Sequence, residues 1–173
     1  MKKVFKTIGW LLLIALVAIQ FFHPKKNIQE GDQSKSIAKL HAVPGDVKVI
    51  LKKACDDCHT NNTVYPGYSN LQPVYWWLNN HVVDGKRHLN LDSLGAKPAW
   101  LRYHKMEEIV EQVKEGEMPL DSYTWIHKDA ILTDNEKAKL TDWAQSIMDE
   151  MKQTFPADSL IRPKRPEQPK KSS

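Results

Sequence analysis

Cysteine is scarce in this 173-residue chain, which contains only Cys55 and Cys58. Two cysteines exclude a four-sulfur metal site, and no further Cys or His at short spacing completes a mixed zinc site. A thioredoxin-like dithiol would need a strand, helix and strand around the pair. The segment before Cys55 has helical periodicity instead, so neither a zinc site nor a dithiol is favoured.

The middle of the chain also lacks a basic cluster. Residues 1–40 carry a net charge of +5, residues 41–155 a net charge of −4, and residues 156–173 a net charge of +3. A nucleic-acid-binding domain concentrates lysine and arginine on one face. Because the body is acidic and only the ends are basic, we expect no nucleic-acid partner.

The two cysteines lie in the pentapeptide Cys55-Asp56-Asp57-Cys58-His59. Cysteines at this spacing can each bond one vinyl group of a haem, and the histidine that follows is placed to bind the iron. The sequence therefore predicts one covalently attached haem c, with Cys55 and Cys58 as anchors and His59 as an axial ligand.

The one long apolar run is at the N-terminus, from Ile8 to Phe22, after three lysines. This pattern predicts a membrane segment over residues 1–24 that leaves the remainder outside the cytoplasm. No small-residue cleavage site closes the run, so we favour an uncleaved anchor over a removed signal peptide. The expected location is the bacterial inner membrane, with the haem domain in the periplasm.

Composition divides the rest of the chain into three parts. Residues 25–44 are polar without apolar periodicity and are predicted to be a linker. Residues 156–173 are rich in proline and lysine, which predicts a disordered tail. The span between them, residues 45–155, is long enough for one small domain.

Helical periodicity within this span predicts an all-α fold around one covalent haem. One helix leads into Cys55, a second starts near Pro73 and ends at Gly85, and a third ends at Gly116. A fourth begins with the capping-box pattern Thr133-Asp134-Asn135-Glu136.

An iron bound by His59 needs a second axial ligand or an open position. We favour Met118, because it follows a helix-ending glycine and precedes Pro119, so its thioether can project from a fixed loop. The methionines at 106, 148 and 151 lie in predicted helices and suit a core instead. The alternatives are one of four histidines or no ligand: His81, His88, His104, His127.

Beyond these spacings, the chain resembles the bacterial haem-binding domain family, whose overall order is similar to that of class I cytochromes c. The resemblance covers residues 45–150 and rests on the following motifs: Cys55 to Thr63, Tyr65-Pro66, Gln72-Pro73, Trp76-Trp77, His81, Gly116 to Leu120, Tyr123-Thr124, His127. It implies a membrane-anchored haem domain with a small cytochrome c-like helical fold, and it names no redox partner.

Several aromatic and polar residues are expected to line a haem pocket, where rings cover the apolar faces and polar atoms bind the propionates. They are Asn62, Tyr65, Tyr68, Trp76, Trp77, Tyr123 and His127. Ordinary core packing is the alternative for each of them. The expected function is single-electron transfer, and the alternative is a peroxidase-like enzyme or gas sensor with an open sixth position.

Overall fold

A computed structural model describes residues 1–164, and within them the regular elements are helices. Eight α-helices follow one another within residues 1–164: α1 Lys2–Ile19, α2 Ile37–Leu40, α3 Gly45–Ala54, α4 Asp56–His59, α5 Val74–His88, α6 Ala99–Glu115, α7 Asp121–Thr124, α8 Asp134–Thr154. Four 3-10 turns lie between or after them: Gly67–Asn70, Leu94–Ala96, Lys128–Ala130, Ala157–Leu160. The all-helical part of the predicted fold class is therefore confirmed.

The predicted membrane helix is wrong. Among residues 1–164, no helix combines the length and the apolar character needed to cross a bilayer. Helix α1 has 18 residues and includes Lys2, Lys3 and Lys6, so its uncharged part extends only from Thr7 to Ile19. At 1.5 Å per residue this part rises about 20 Å, against a hydrocarbon core of about 30 Å. Anchoring of the chain in the inner membrane, with a periplasmic haem domain, is therefore not supported.

Three of the four helices predicted from periodicity, α3, α6 and α8, form most of the core. Helices α6 and α8 pack along each other, and α3 packs on α8. Their buried side chains form one cluster with a few residues from the connecting segments: Ile37, Val47, Ile50, Leu51, Leu91, Leu94, Met106, Val113, Leu132, Leu140, Trp143, Ala144, Ile147, Met148, Met151. Removal of this apolar surface from water is the main stabilising contribution that the structure shows.

Helix ends follow local chemistry at two predicted positions. Gly116 ends α6 with φ at +78°, a left-handed conformation that costs glycine little. At the start of α8, Thr133 and Glu136 form the predicted capping box, in which each side chain bonds the backbone N–H of the other residue. Gly85 does not end α5, which continues to His88.

The segment predicted to be a linker makes hydrogen bonds to the domain. Asn27 donates from its side chain to the Thr60 carbonyl and to Thr63, both at 2.9 Å, and its backbone N–H donates to Tyr65 at 2.7 Å. Ile28 and Asn62 form an isolated antiparallel bridge. Residues 27 and 28 are thereby held against the loop that follows α4.

The predicted tail is described only in part. Its first residues form the turn Ala157–Leu160, which packs against α6. Residues 165–173 lie outside the described part of the chain. The domain boundaries stay predictions.

Candidate functional site

The pentapeptide that contains both cysteines forms the corner between α3 and α4. Cys55 ends α3, and its carbonyl accepts the backbone N–H groups of Cys58 and His59, at 3.1 and 2.9 Å. Both cysteines are free thiols. This tight turn places the two sulfurs and the His59 ring on one short helical segment.

Burial keeps both thiols protonated. It raises the pKa of Cys55 to about 12 and that of Cys58 to about 11, with smaller contributions from the neighbouring Asp56 and Asp57 charges. A redox-active or metal-binding cysteine pair needs the opposite, a lowered thiol pKa. The environment therefore disfavours a thioredoxin-like dithiol.

His59 is oriented by the end of α5. Its Nδ1 lies 3.1 Å from the Gly85 carbonyl oxygen and 3.0 Å from that of Leu89. Because carbonyls only accept, Nδ1 carries the proton and donates to both, which leaves the lone pair on Nε2. Burial also lowers the pKa of His59, so the ring is neutral at pH 7. A neutral ring with a fixed tautomer is what a metal-binding histidine requires.

Gly85 lets α5 approach α4 closely. A Cβ atom built at this glycine would lie 2.8 Å from the carbonyl oxygen of Cys58 and 3.0 Å from its Cβ. Any larger residue would push the two helices apart. The Gly85 carbonyl also accepts a hydrogen bond from His59. Gly85 therefore both permits the close helix contact and helps to orient the His59 ring.

A narrow cleft lies beside Cys58. Its volume is about 20 Å³, so it could receive a substituent of a large ring and not the ring itself. The lining is mostly aromatic and aliphatic: Cys58, Tyr68, Trp77, Leu78, His81, Leu120, Ser122, Tyr123, Ile126, His127. Four of the seven residues predicted for a pocket are among them: Tyr68, Trp77, Tyr123, His127.

The other three predicted pocket residues contact the N-terminal segment. The Asn62 side-chain oxygen accepts from the Gln29 backbone at 3.0 Å, the Tyr65 hydroxyl accepts from Asn27, and Trp76 donates its indole N–H to the Phe22 carbonyl at 2.9 Å. They therefore hold residues 22–29 against the domain. Their place in a haem pocket stays a prediction.

Met118 lies between α6 and α7 and is half-buried. Its backbone N–H donates to the Gln112 carbonyl at 3.2 Å. It does not line the cleft beside Cys58, whereas Leu120, two residues further on, does. The methionines at 106, 148 and 151 are 0–4% exposed in the core, as predicted.

The four histidines considered as alternatives differ in their surroundings. His81 and His88 lie on α5, and His104 is half-exposed on α6 beside Glu107 and Glu108. His127 hydrogen-bonds Tyr68 through Nε2 at 2.8 Å.

Sequence reasoning named His81 only as an alternative axial ligand and did not find how its ring packs. Its ring lies edge-on to Trp77 at 4.4 Å, and its buried Nε2 has no hydrogen-bond partner within residues 1–164. An unpaired buried nitrogen is costly, so such a group commonly faces a ligand. Gly85 was also missed, although a glycine inside a helical pattern can signal close packing.

A larger cavity of about 690 Å³ lies elsewhere, between α6 and the turn at Ala157–Leu160. None of the residues from Cys55 to His59 lines it. Within residues 1–164, no cluster of three or more His, Cys, Asp or Glu could hold a metal ion directly.

Comparison with known families identifies the class of protein that this site defines. The model of the haem-binding domain family matches residues 14–146, which is most of the chain. The chain therefore belongs to the haem-binding domain family, as the sequence motifs predicted, and it is a haem-binding protein. No curated protein and no solved structure matches it.

The residues of the site fit a haem. His59 offers a neutral Nε2, and Cys58 and His81 line the same mostly aromatic and aliphatic cleft. Gly85 keeps the helix behind His59 close enough to orient its ring. We therefore take this region as the candidate haem site.

Proposed function

We propose that this chain is a c-type cytochrome that carries single electrons. Cys55 and Cys58 are the covalent anchors of one haem, His59 is one axial ligand of its iron, and Met118 is the other. The observation that carries the proposal is the pair of hydrogen bonds that fix the His59 tautomer directly after two free, correctly spaced thiols.

Free thiols are available for covalent attachment. Each thiol would add its S–H across one vinyl double bond, sulfur to one carbon and hydrogen to the other, so that no atom is lost. The bound haem would supply the one-electron couple between Fe(III) and Fe(II). The chain itself would fix the His59 ring and cover the haem edge with aromatic side chains.

The position of α5 supports Met118 over the histidines as the second ligand. Nδ1 of His59 faces α5, so Nε2 and any metal bound to it face away from that helix. His81 and His88 belong to α5, whereas Met118 belongs to the segment between α6 and α7, so we favour Met118 as the residue that would hold the iron together with His59. His104 is paired with glutamates, and His127 is engaged by Tyr68.

The test is a pair of absorption spectra, oxidised and reduced, of protein made in a host that attaches c-type haem. We expect a covalent low-spin haem with a sulfur-to-iron charge-transfer band in the oxidised state. Met118→Leu should abolish that band. Met148→Leu makes the same side-chain change in the core and should leave the band intact.

Two outcomes would contradict the proposal. Protein without covalent haem, or with haem that undergoes no reversible reduction, would exclude an electron carrier. A high-spin wild-type spectrum that changes on addition of carbon monoxide or peroxide would instead support the enzyme or sensor alternative. The observation that favours this alternative is that Met118 does not line the cleft beside Cys58.

A further inference from the structure

Asp57, between the two cysteines, joins three parts of the chain. One carboxylate oxygen accepts the backbone N–H of Val64 at 3.0 Å, and the other accepts the hydroxyl of Tyr123 at 2.8 Å. Val64 belongs to the loop after α4, whereas Tyr123 lies on α7, 66 residues after Asp57. The haem-attachment motif is therefore bonded directly to the helix that follows Met118.

The hydrogen bond between Tyr123 and Asp57 is strong by its chemistry. A hydrogen bond to a carboxylate contributes more than one between neutral groups. Burial, followed by the bond to Asp57, raises the pKa of Tyr123 far above the usual range, so the phenol remains a donor throughout physiological pH.

A second contact holds the Tyr123 ring in place. His127 stacks on it with ring centroids 4.3 Å apart and planes 13° apart, and His127 in turn bonds the Tyr68 hydroxyl. Tyr68 belongs to the turn Gly67–Asn70. The ring of Tyr123 is thereby fixed from one side while its hydroxyl is fixed by Asp57.

The segment that carries Met118 is short and held at both ends. Upstream, Gly116 ends α6, and the Met118 N–H bonds the Gln112 carbonyl. Downstream, α7 begins three residues after Met118, and Pro119 prevents α6 from continuing into it. The end of α7 that is bonded to Asp57 therefore limits where Met118 can lie relative to the attachment motif.

We propose that Tyr123 is a positioning residue for Met118: its hydrogen bond to Asp57 fixes the Met118 segment over the haem attached at Cys55 and Cys58. This inference rests on the proposed function, because it takes Met118 as an axial ligand. Tyr123 acts through Asp57 and the backbone of α7, without itself binding iron.

Tyr123→Phe tests the proposal, because it keeps the ring that stacks on His127 and removes only the hydroxyl. Imidazole competes with the methionine for oxidised iron, so its apparent affinity measures how firmly Met118 is held. We expect covalent haem to be retained, imidazole to bind about tenfold more tightly, and the charge-transfer band to weaken. An affinity within twofold of wild type, with an unchanged band, would overturn the proposal.

Tyr75→Phe is the matched control for general destabilisation. Tyr75 is fully buried, and its hydroxyl donates to the Pro24 carbonyl at 2.9 Å, away from the Met118 segment. This variant should leave imidazole binding and the band as in wild type. An equal shift in both variants would mean that Tyr123 acts only through overall stability, and the proposal would be wrong.

A double-variant cycle tests whether Tyr123 acts through Asp57. We expect Asp57→Ala to increase imidazole affinity, and the combined Asp57→Ala and Tyr123→Phe variant to show no further increase. Additive effects would overturn the proposed route. Failure of the proposed function would look different, because wild type itself would then lack covalent haem or the charge-transfer band.

Discussion

At the scale of single residues, a side chain added at Gly85 would have two opposing effects on stability. Inside an exposed helix, alanine stabilises by up to about 1 kcal/mol relative to glycine, because it restricts the unfolded backbone. Here the added Cβ would meet the Cys58 carbonyl at 2.8 Å. Displacement of packed backbone costs about 1–3 kcal/mol, which exceeds the gain.

We therefore expect Gly85→Ala to lower the free energy of unfolding by about 1–2 kcal/mol and to reduce the fraction of protein with covalent haem. Urea denaturation and haem-stained gels measure the two effects. Gly45→Ala is the control, since a Cβ at Gly45 meets no atom within 4 Å. Equal stability of both variants would show that α5 and α4 are not in close contact.

His59 illustrates why the environment of a site residue can be predicted only in part from the sequence. Its expected role as an iron ligand follows from its position directly after Cys58, which is a local sequence pattern. The carbonyls that fix its tautomer belong to Gly85 and Leu89, about 30 positions away, and no local pattern indicates them. Backbone carbonyls carry no sequence signature, so only the fold reveals them.

At the scale of elements, α8 was the most predictable helix, because its start is determined by local chemistry. The Thr133 hydroxyl accepts the Glu136 backbone N–H at 3.3 Å, and the Glu136 carboxylate accepts the Thr133 backbone N–H at 2.9 Å. Glu136 also pairs with Lys53 on α3 at 2.7 Å. The capping box thus starts α8 and connects it to the helix that leads into Cys55.

Thr133→Ala should therefore lower the free energy of unfolding by about 1 kcal/mol. Chemical denaturation measures the change. Thr154→Ala, at the exposed end of the same helix, should have a smaller effect, because Thr154 bonds only the carbonyl of Glu150. A larger loss from Thr154→Ala would contradict the importance of the cap.

The capping-box residue Glu136 also predicts that stability depends on pH. The hydrogen bond from Lys53, and then that from the Thr133 backbone, lowers the pKa of Glu136 from 4.5 to about 2. Its contribution to stability is therefore complete above pH 4.5 and is lost as the pH falls toward 2. In Glu136→Gln, stability should fall less steeply between these values.

Helix α5 was predicted less well, because its glycine signals close packing and not an end. A glycine beyond the last periodic residue is a common stop, and Gly85 fits that pattern by position. The helix continues through Arg87 to His88 because the backbone at Gly85 packs on Cys58. Sequence alone does not distinguish a glycine that ends a helix from one that admits a neighbour.

At the scale of the whole molecule, the N-terminal segment shows that composition alone does not predict which segments contact the domain. Residues 25–44 are polar and lack periodicity, a pattern typical of linkers, yet Asn27 alone bonds three residues of the domain. These are specific polar contacts that hydropathy does not report. The apolar run before them likewise predicted a membrane helix, but α1 contains three lysines and is too short.

The apolar core and the candidate haem site meet at Cys55 and Leu89, which pack on the core cluster. Most of the cluster nevertheless comes from α3, α6 and α8, whereas α4 packs on α5 as well as on α3, and α7 packs on the turn Lys128–Ala130. Most residues of the core therefore lie outside the candidate site. Loss of the haem should weaken α4, α5 and α7 more than α6 and α8.

A variant with Cys55→Ser and Cys58→Ser tests this expectation, because it removes both proposed covalent anchors. We expect most of the helical signal in circular dichroism to remain, with a lower free energy of unfolding because a bound haem no longer stabilises the folded state. Amide hydrogen exchange should become faster in residues 55–64 and 117–127 and stay slow in α6 and α8. Wild-type protein made in a host that does not attach c-type haem is the control, since it lacks the haem but keeps both thiols. If α6 and α8 exchanged as fast as the site in either protein, the haem would be part of the core, because only a shared core would make both regions unfold together.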